Sequence, residues 1–597
     1  MKSPLVIVIL TAGAAALGCP GESRQSRGDR DTAAPPADAS DTDDAAGPED
    51  TTVVDGEDVS LNAEPFHVIA AGTVNDGLRT TSAVCATCHT VDPGATAMRD
   101  SAGRDVSPIA LWQSSMKANS ARDPFFRATL SAERARLPEH ASAIEGTCLT
   151  CHAPLATLDA RTDGALARVD DLATTTKRGL LGADGVSCTA CHGIASERLS
   201  EAQTWSGQQL YNDDLAIYGP HKTPFTNPMV HHTGLTPTHG AHVMDSGLCG
   251  SCHTLITHSL DLEPDDAPDF PEQTPYLEWR NSAFAVQGPE LVTCQGCHMP
   301  TLDADGQLIS TRIARRPPGG DFPQVSPRSP YGRHLFVGGN TLIPEILKRF
   351  RDELLPSAPD AAFDATIMLA RAQLENTTAT LTVNGLAVTG GKLVGEVHVD
   401  NLAGHKFPSG YPSRRVWLRV QVEDAAGVSL VEVGGWDAQG RILGADGAPL
   451  PSEAAGGPVL GHRDEVNGAD AVQVWETVIG DATGKPNIGL MSAVSYLKDN
   501  RLLPRGWSPD GFEAARTRPV GVEGDDDFTA GGDTVRLDLA VPEGARRVTV
   551  QLVYQVLSAR WAAELLANDT PEVRAFGRML EAVPPLPVII GTVTRQL

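Results

Sequence analysis

Cys85-Ala86-Thr87-Cys88-His89 is the first of five stretches in which two cysteines, three positions apart, are followed at once by histidine. Two thiols at this spacing can form thioethers with the two vinyl groups on one edge of a haem, and the adjacent histidine can then bind the iron. The sequence therefore predicts five covalently attached haem c groups. The predicted attachment cysteines are Cys85, Cys88, Cys148, Cys151, Cys188, Cys191, Cys249, Cys252, Cys294 and Cys297, and the predicted proximal iron ligands are His89, His152, His192, His253 and His298.

Other uses of paired cysteines explain this pattern less well. A structural zinc site needs two pairs for each ion, and five pairs cannot be divided evenly. A disulfide framework gives no reason for a histidine after every second cysteine. A thioredoxin-like redox pair would occur once, on a βαβ pattern. The chain has 11 cysteines, and the motifs use all of them except Cys19.

Charge and composition exclude one class of partner. The formal net charge is −27, whereas nucleic-acid binding calls for basic faces. The sequence therefore predicts no nucleic-acid partner. A hydrophobic content of 41% is enough for most of the chain to fold around apolar cores.

The N-terminus predicts export. Residues 1–19 have a positive start, a short apolar run and small residues before Cys19, which is the pattern of a secretory signal. The ending Ala16-Leu17-Gly18-Cys19 resembles a bacterial lipoprotein box, which implies a lipidated Cys19 as the mature N-terminus and a lipid anchor in a membrane. An ordinary signal peptide with an incidental cysteine is the alternative. We expect a periplasmic or cell-surface position at the outer membrane.

The rest of the chain divides by composition into three parts. Residues 20–62 are acidic and poor in large apolar side chains, so we expect a disordered linker. Residues 63–370 carry the motifs among many turn-forming residues, which predicts an irregular, mainly α multihaem cytochrome domain with helices over 108–136 and 341–355. Residues 371–597 alternate at period two, which predicts an all-β sandwich domain with a short closing helix near Trp561. The predicted strands lie at 393–399, 416–422, 535–539 and 548–553.

Each iron has a second axial position, and twelve histidines remain once the five motif histidines are set aside. A closed face favours electron transfer, whereas an open face allows a substrate to bind. Candidates for the second position lie in distinctive local contexts, although a satisfied surface or core residue is the usual role of a lone histidine, and Met116 could equally be core packing. These candidates are Met116, His231, His242, His334 and His405.

Several segments carry a resemblance to a known class. The motifs, the segments 116–124 and 272–279, and the continuation Cys297-His298-Met299-Pro300 resemble multihaem cytochromes of the cytochrome c-552/c-554 class, related to hydroxylamine oxidoreductases and pentahaem nitrite reductases. The segments 404–408 and 498–504 resemble a domain that is often appended to exported multihaem cytochromes. The resemblance implies electron transport.

One departure from that class bears on catalysis. The resemblance implies lysine in place of the motif histidine at the catalytic haem of the nitrite reductases, yet all five motifs here end in histidine. The sequence therefore favours a non-enzymatic electron carrier with redox-protein partners. Two alternatives stay open: a reductase of a small nitrogen or sulfur compound (nitrite, hydroxylamine or tetrathionate type) at one open-face haem, and a binding protein whose β domain docks it to a redox partner or mineral.

Overall fold

The computed structural model describes residues 66–597, and Ala63–Leu597 form one compact unit. Secondary structure divides this unit into two parts, which we call the motif region (residues 66–373) and the sheet region (residues 374–597). The predicted signal peptide, the predicted lipid attachment site at Cys19 and the predicted acidic linker lie outside the described residues. No helix within 66–597 combines the length and apolar character needed to span a membrane.

The motif region is built from short helices joined by irregular segments, with two small two-stranded sheets, β1 with β2 and β3 with β4. Its helices are α1 (Ser82–His89), α2 (Pro108–Trp112), α3 (Pro124–Arg136), α4 (Ala141–His152), α5 (Pro154–Thr162), α6 (Lys177–Ala183), α7 (Cys188–His192), α8 (Asn227–Thr233), α9 (Ser246–Gly250), α10 (Pro275–Arg280), α11 (Cys294–His298), α12 (Leu342–Arg349), α13 (Arg351–Leu354) and α14 (Asp360–Gln373). Its strands are β1 (Ala216–Gly219), β2 (Thr236–His239), β3 (Leu255–Thr257) and β4 (Phe270–Gln273).

The prediction of one helix over 108–136 is wrong in its middle. The chain forms α2 and α3 with an irregular stretch between them, and Asp123 starts α3 by accepting hydrogen bonds from the backbone N–H groups of Phe125 and Phe126. An Asp cap followed by proline at the first helical position is a strong helix start, so the local chemistry favours a new helix there. The helix predicted over 341–355 is present as α12 and α13.

The sheet region contains two larger sheets and a few helices. Its strands are β5 (Ala379–Thr389), β6 (Lys392–Asn401), β7 (Arg415–Glu423), β8 (Ser429–Val433), β9 (Glu465–Val466), β10 (Val474–Gly480), β11 (Pro486–Asn487), β12 (Ser495–Asp499), β13 (Gly532–Ala540), β14 (Arg547–Gln555) and β15 (Val588–Gln596). Its helices are α15 (Ala514–Thr517), α16 (Ala559–Leu566) and α17 (Pro571–Ala582).

The two larger sheets share one apolar core. One sheet has the order β11-β10-β7-β14-β15, with β12 beside β10 and β8 beside β7, and the other has the order β5-β6-β13-β9. Buried side chains of both sheets belong to the same cluster, among them Val397 and Leu537 of one sheet and Val420 and Val550 of the other. Because successive side chains of a strand point to opposite faces, alternating apolar residues fill this core.

The four predicted strands are confirmed as β6, β7, β13 and β14, and the helix predicted near Trp561 is confirmed as α16. The region is not purely β, since α17 follows α16 and packs on α3 of the motif region. One buried apolar cluster crosses between the regions, from Phe66 and Ile343 on one side to Ile479 and Phe576 on the other. The two regions are therefore packed together through a shared apolar interface.

Candidate haem sites

The five cysteine motifs lie on or beside the ends of short helices. The histidine is the last residue of α1, α4, α7 and α11, whereas α9 ends at Gly250 and the chain turns through Cys252 to His253. Residues three apart lie on one face of a helix, so each helical motif presents its two thiols together and its histidine one step further on. None of the ten motif cysteines forms a disulfide bond with another.

Backbone carbonyls hold four of the five motif histidines in one tautomer. A carbonyl oxygen only accepts hydrogen bonds, so a ring nitrogen beside it must carry the proton, and the lone pair then lies on the other nitrogen. In these histidines Nδ1 donates a hydrogen bond to the carbonyl oxygen, which leaves Nε2 as the metal-binding atom. The hydrogen bond also fixes the orientation of the ring. The four contacts are His89 Nδ1 to Ile313 O at 2.9 Å, His152 to Ser120 at 3.3 Å, His192 to Tyr218 at 2.6 Å and His298 to Val337 at 2.8 Å.

Two motif histidines face a second histidine at a spacing that suits a metal between them. The ring centres of His192 and His334 are 6.3 Å apart with planes inclined by 28°, and those of His298 and His405 are 6.5 Å apart with planes inclined by 7°. A metal–nitrogen bond is about 2.0–2.1 Å long, and the nitrogen is about 1.1 Å from the centre of its ring. Two imidazoles on opposite sides of one metal therefore have ring centres about 6.3 Å apart. The residues therefore fit two bis-histidine haem irons.

The two opposing histidines are also oriented by backbone carbonyls. His334 Nδ1 donates to Gly332 O at 3.2 Å, and His405 Nδ1 donates to Lys406 O at 3.0 Å. Nε2 is thus the free nitrogen on both sides of each pair. This is the tautomer that an axial haem ligand requires.

Thiols of different motifs meet in pairs. The Cys85 thiol lies beside that of Cys188, the Cys252 thiol beside that of Cys151 and the Cys294 thiol beside that of Cys249. These neighbours together with burial raise the pKa values of Cys188, Cys151 and Cys249 well above their ordinary range. Burial and the nearby Cys252 thiol likewise raise the pKa of Cys191. Motif one therefore adjoins motif three, and motif four adjoins both motif two and motif five.

The fourth motif has a different neighbour. Lys117 Nζ lies 3.2 Å from Nε2 of His253, the atom that corresponds to the free nitrogen of the other motif histidines. The Lys117 charge, together with burial, holds the pKa of His253 well below its ordinary value. The Phe336 ring lies beside the same ammonium group, with its centre 5.8 Å from Nζ. Lys117 is not among the ligands predicted from the sequence, whereas Met116 next to it is.

The remaining predicted ligands are placed in other surroundings. Met116 packs against the apolar cluster that joins the two regions. His231 is exposed on α8. His242 is near motif three, because its ring meets the edge of Tyr218 at 4.7 Å, but its Nε2 is 2.9 Å from Ile194 O and only Nδ1 is free. These three assignments stay predictions without a facing motif histidine among the ring contacts of residues 66–597.

His89 and His152 have no second histidine in ring contact within the described part of the chain. At His152 the neighbour is Phe126, whose ring lies flat on the imidazole with centres 3.7 Å apart and planes inclined by 4°. This stacking leaves the imidazole little room to rotate, because the ring is also held by Ser120. Motif two is therefore well ordered on the side of its own histidine.

A buried charged network fixes the loop that carries His405. Glu278 accepts a hydrogen bond from the backbone N–H of Lys406 at 2.9 Å, and Lys406 Nζ is 2.6 Å from Asp499. Arg501 contacts both carboxylates, Asp499 at 2.6 Å and Glu278 at 3.3 Å. All four side chains are at most 6% exposed. Burial alone would raise the pKa of Asp499, but Arg501 and Lys406 outweigh it and lower that pKa to about 2.

This network joins three segments that each carry part of the resemblance seen in the sequence. Glu278 belongs to 272–279 of the motif region, while Lys406 and Asp499 belong to 404–408 and 498–504 of the sheet region. A buried charge is tolerated when it is paired and hydrogen-bonded, as here. The network therefore places a histidine of the sheet region opposite a motif histidine, His298.

Comparisons with known proteins give one structural likeness. No family model matches the chain, and no curated protein matches it. A solved structure of a penta-heme cytochrome c552 from Thermochromatium tepidum is similar to this chain at 17% sequence identity and a TM-score of 0.46, covering 89% of this chain and 100% of that one.

Proposed function

We propose that this protein is an exported c-type cytochrome that transfers electrons through five covalently attached haems. The observation that carries the proposal is the pair of facing imidazoles, His192 with His334 and His298 with His405, at the spacing of two ligands on one iron. In these two pairs all four Nδ1 atoms are hydrogen-bonded to carbonyls, and all four Nε2 atoms are free of hydrogen bonds within residues 66–597. A chance approach of histidines would not require this shared arrangement. Bound haem would supply a one-electron carrier at each motif.

The contacts between motifs support transfer along a connected set of sites. Thiol contacts join motifs one and three, two and four, and four and five. Tyr211 and Gln209 connect motifs three and four. Tyr211 donates to Ala190 O at 2.9 Å, Gln209 donates to the Tyr211 hydroxyl at 3.2 Å, and Gln209 Oε1 lies 4.0 Å from Cys252 Sγ. No motif is isolated, so the protein holds its five attachment points as neighbours, which is the arrangement that an electron conductor needs.

Closed axial faces favour transfer over catalysis. Motifs three and five each have a histidine on both sides of the proposed iron position, which leaves no room for a substrate there. The protein's own contribution is to hold the imidazoles in one tautomer, orient them by carbonyls and shield them partly from solvent. We extend the proposal to the N-terminus, where a lipid on Cys19 and the acidic linker would tether the protein to the outer membrane and present it to redox-protein partners.

Mass spectrometry of the mature protein tests the haem proposal. We expect the mass of five haems on one chain, and a haem-free chain with ten free thiols would overturn the proposal. Low-temperature EPR of the oxidised protein then separates carrier from reductase. A full-haem high-spin signal that changes on addition of nitrite or hydroxylamine would favour the reductase.

The anchor is tested separately by changing Cys19. We expect wild-type protein in the membrane fraction and the Cys19→Ser variant in the soluble exported fraction. An equal distribution of the two proteins would contradict the lipid anchor and leave the haem proposal untouched.

A further inference from the structure

We infer that Lys117 supplies the second axial ligand to the iron at the fourth motif, opposite His253. This inference rests on the proposed function, since it assigns a residue to one of the five haems. Lys117 directly follows Met116, which the sequence offers as a candidate ligand without assigning it to a motif. The ligand pair at this haem would be histidine and lysine, unlike the two histidine pairs at motifs three and five.

The first support is the atom that Lys117 faces. Its Nζ is 3.2 Å from Nε2 of His253, and Nε2 is the free nitrogen in each of the other four motif histidines. Two metal–nitrogen bonds of about 2 Å would place the ligand nitrogens about 4 Å apart. Nζ ends a flexible four-carbon stem, so a displacement of less than about 1 Å brings it to that distance.

The second support is that Lys117, which is half-buried, lacks the carboxylate partners of the chain's buried lysines. Lys406 is paired with Asp499 at 2.6 Å, and Lys498 is paired with Glu476 at 3.1 Å. Among the ion pairs formed within residues 66–597, none includes Lys117. The groups beside its ammonium nitrogen are the His253 imidazole and the Phe336 ring. No carboxylate among the described residues therefore holds the Lys117 ammonium group away from His253.

The third support is that no histidine within residues 66–597 is in ring contact with His253. The two histidines that face motif histidines are His334 and His405, and each already faces a different motif. Met116 is turned into the apolar cluster at the interface of the two regions. Lys117 is thus the donor that the fold brings to the fourth motif.

A simpler role for Lys117 is a hydrogen bond from its ammonium group to the imidazole of His253. The two roles differ in spectroscopy, because Nε2 cannot accept that hydrogen bond while it binds iron. A ligand lysine keeps its haem low-spin, and its loss opens one axial position. A hydrogen-bonding lysine would leave the spin state unchanged when it is replaced.

The test is the Lys117→Leu variant of the full haem-loaded protein, with mass spectrometry, EPR and near-infrared magnetic circular dichroism as readouts. We expect five attached haems and the conversion of one haem in five from low-spin to high-spin. The Lys117→His variant should restore the low-spin state with a charge-transfer band of the bis-histidine type. As controls, Lys392→Leu at an exposed ion pair and Met116→Leu should leave all spectra unchanged.

Failure of the inference is separable from failure of the proposed function. Five attached haems with an unchanged low-spin spectrum in Lys117→Leu would overturn the lysine ligand and preserve the cytochrome. A haem-free wild-type chain would overturn both. If the variant does not accumulate, the wild-type charge-transfer spectrum decides: a contribution of the histidine–lysine type supports the ligand, and its absence overturns it.

Discussion

The motif region and the sheet region have interiors of different kinds. The sheet region is filled by one large cluster of buried apolar side chains that runs from Leu374 to Ile590. Apart from the cluster shared between the regions, the motif region has only small ones, such as Leu155, Leu181 and Ala190 between α5, α6 and α7. Burial of apolar area is the main favourable contribution to folding. The sheet region therefore has its own source of stability, whereas the motif region is organised around its cysteine motifs.

The difference also explains how the two regions cooperate. His405 extends from the sheet region, and the buried contact from Lys406 to Glu278 holds it beside His298. A ligand on a loop is placed most precisely when its scaffold is rigid. The sheet region is thus the rigid support for His405, the proposed second ligand at the fifth motif.

The largest expected effect follows from preventing haem attachment. We expect that the chain produced without c-type haem attachment loses ordered structure in the motif region, because its small apolar clusters cannot offset the entropy of ordering so many irregular segments. Limited proteolysis with mass spectrometry should show rapid cleavage within 66–340, while fragments of the sheet region persist. Equal resistance of the two regions would contradict the comparison.

The second effect concerns the buried network that connects the regions. Asp499→Asn leaves Lys406 and Arg501 with an uncompensated buried charge, and such a loss costs about 3–5 kcal/mol. We expect that decrease in the free energy of unfolding measured by denaturant titration of the haem-loaded protein. The matched control is Asp538→Asn at the exposed pair with Lys392, for which at most about 1 kcal/mol is expected.

The same network predicts a pH dependence with a definite sign. The pKa of Asp499 is about 2 in the folded protein, against an ordinary value of 3.8. Since the folded pKa is depressed, the contribution is fully present above about pH 4 and is lost as pH falls through about 2. Wild type should therefore lose stability in this window more steeply than Asp499→Asn. Parallel curves for the two proteins would rule out this role of Asp499.

A smaller effect tests the core of the sheet region alone. Leu418 on β7 is fully buried in the large cluster, and Leu418→Ala should lower the free energy of unfolding by about 2–5 kcal/mol. The control Val428→Ala removes methyl groups from a side chain that is 58% exposed, so about 0.5 kcal/mol or less is expected. The haem spectra of both variants should match wild type in the folded state. A spectral change in Leu418→Ala would show that the core also determines the position of His405.

Local patterns in the sequence predicted much of the fold. The strands β6, β7, β13 and β14 were predictable because apolar residues recur at every second position in each, and α16 because apolar residues follow Trp561. The break between α2 and α3 was missed, although Asp123-Pro124 is a recognisable helix start. Within the described residues, the predicted domain boundary near 371 falls in α14, which ends at Gln373 before β5 begins at Ala379.

The candidate sites were predictable only where a motif carries them. The spacing of two cysteines and a histidine identifies the attachment residues directly, and distinctive local contexts drew attention to His334 and His405. The sequence around Lys117 does not predict its contact with His253, because the two residues are 136 positions apart and are brought together only by the fold. The pairing of Glu278 with Lys406 is hidden for the same reason.

The smallest expected effect concerns the junction of α3 and α17. Thr570 caps α17 by accepting the backbone N–H of Val573, and its hydroxyl lies 2.6 Å from that of Ser131 on α3. Thr570→Ala removes the cap and the hydrogen bond between the regions, which together should cost about 1–2 kcal/mol. Thr570→Ser keeps the hydroxyl and should remain within about 0.5 kcal/mol of wild type. If the two regions unfold together, denaturant titrations followed by haem absorbance and by tryptophan fluorescence should shift equally in Thr570→Ala. A shift in fluorescence alone would show instead that the sheet region unfolds independently and that this junction couples the regions only weakly.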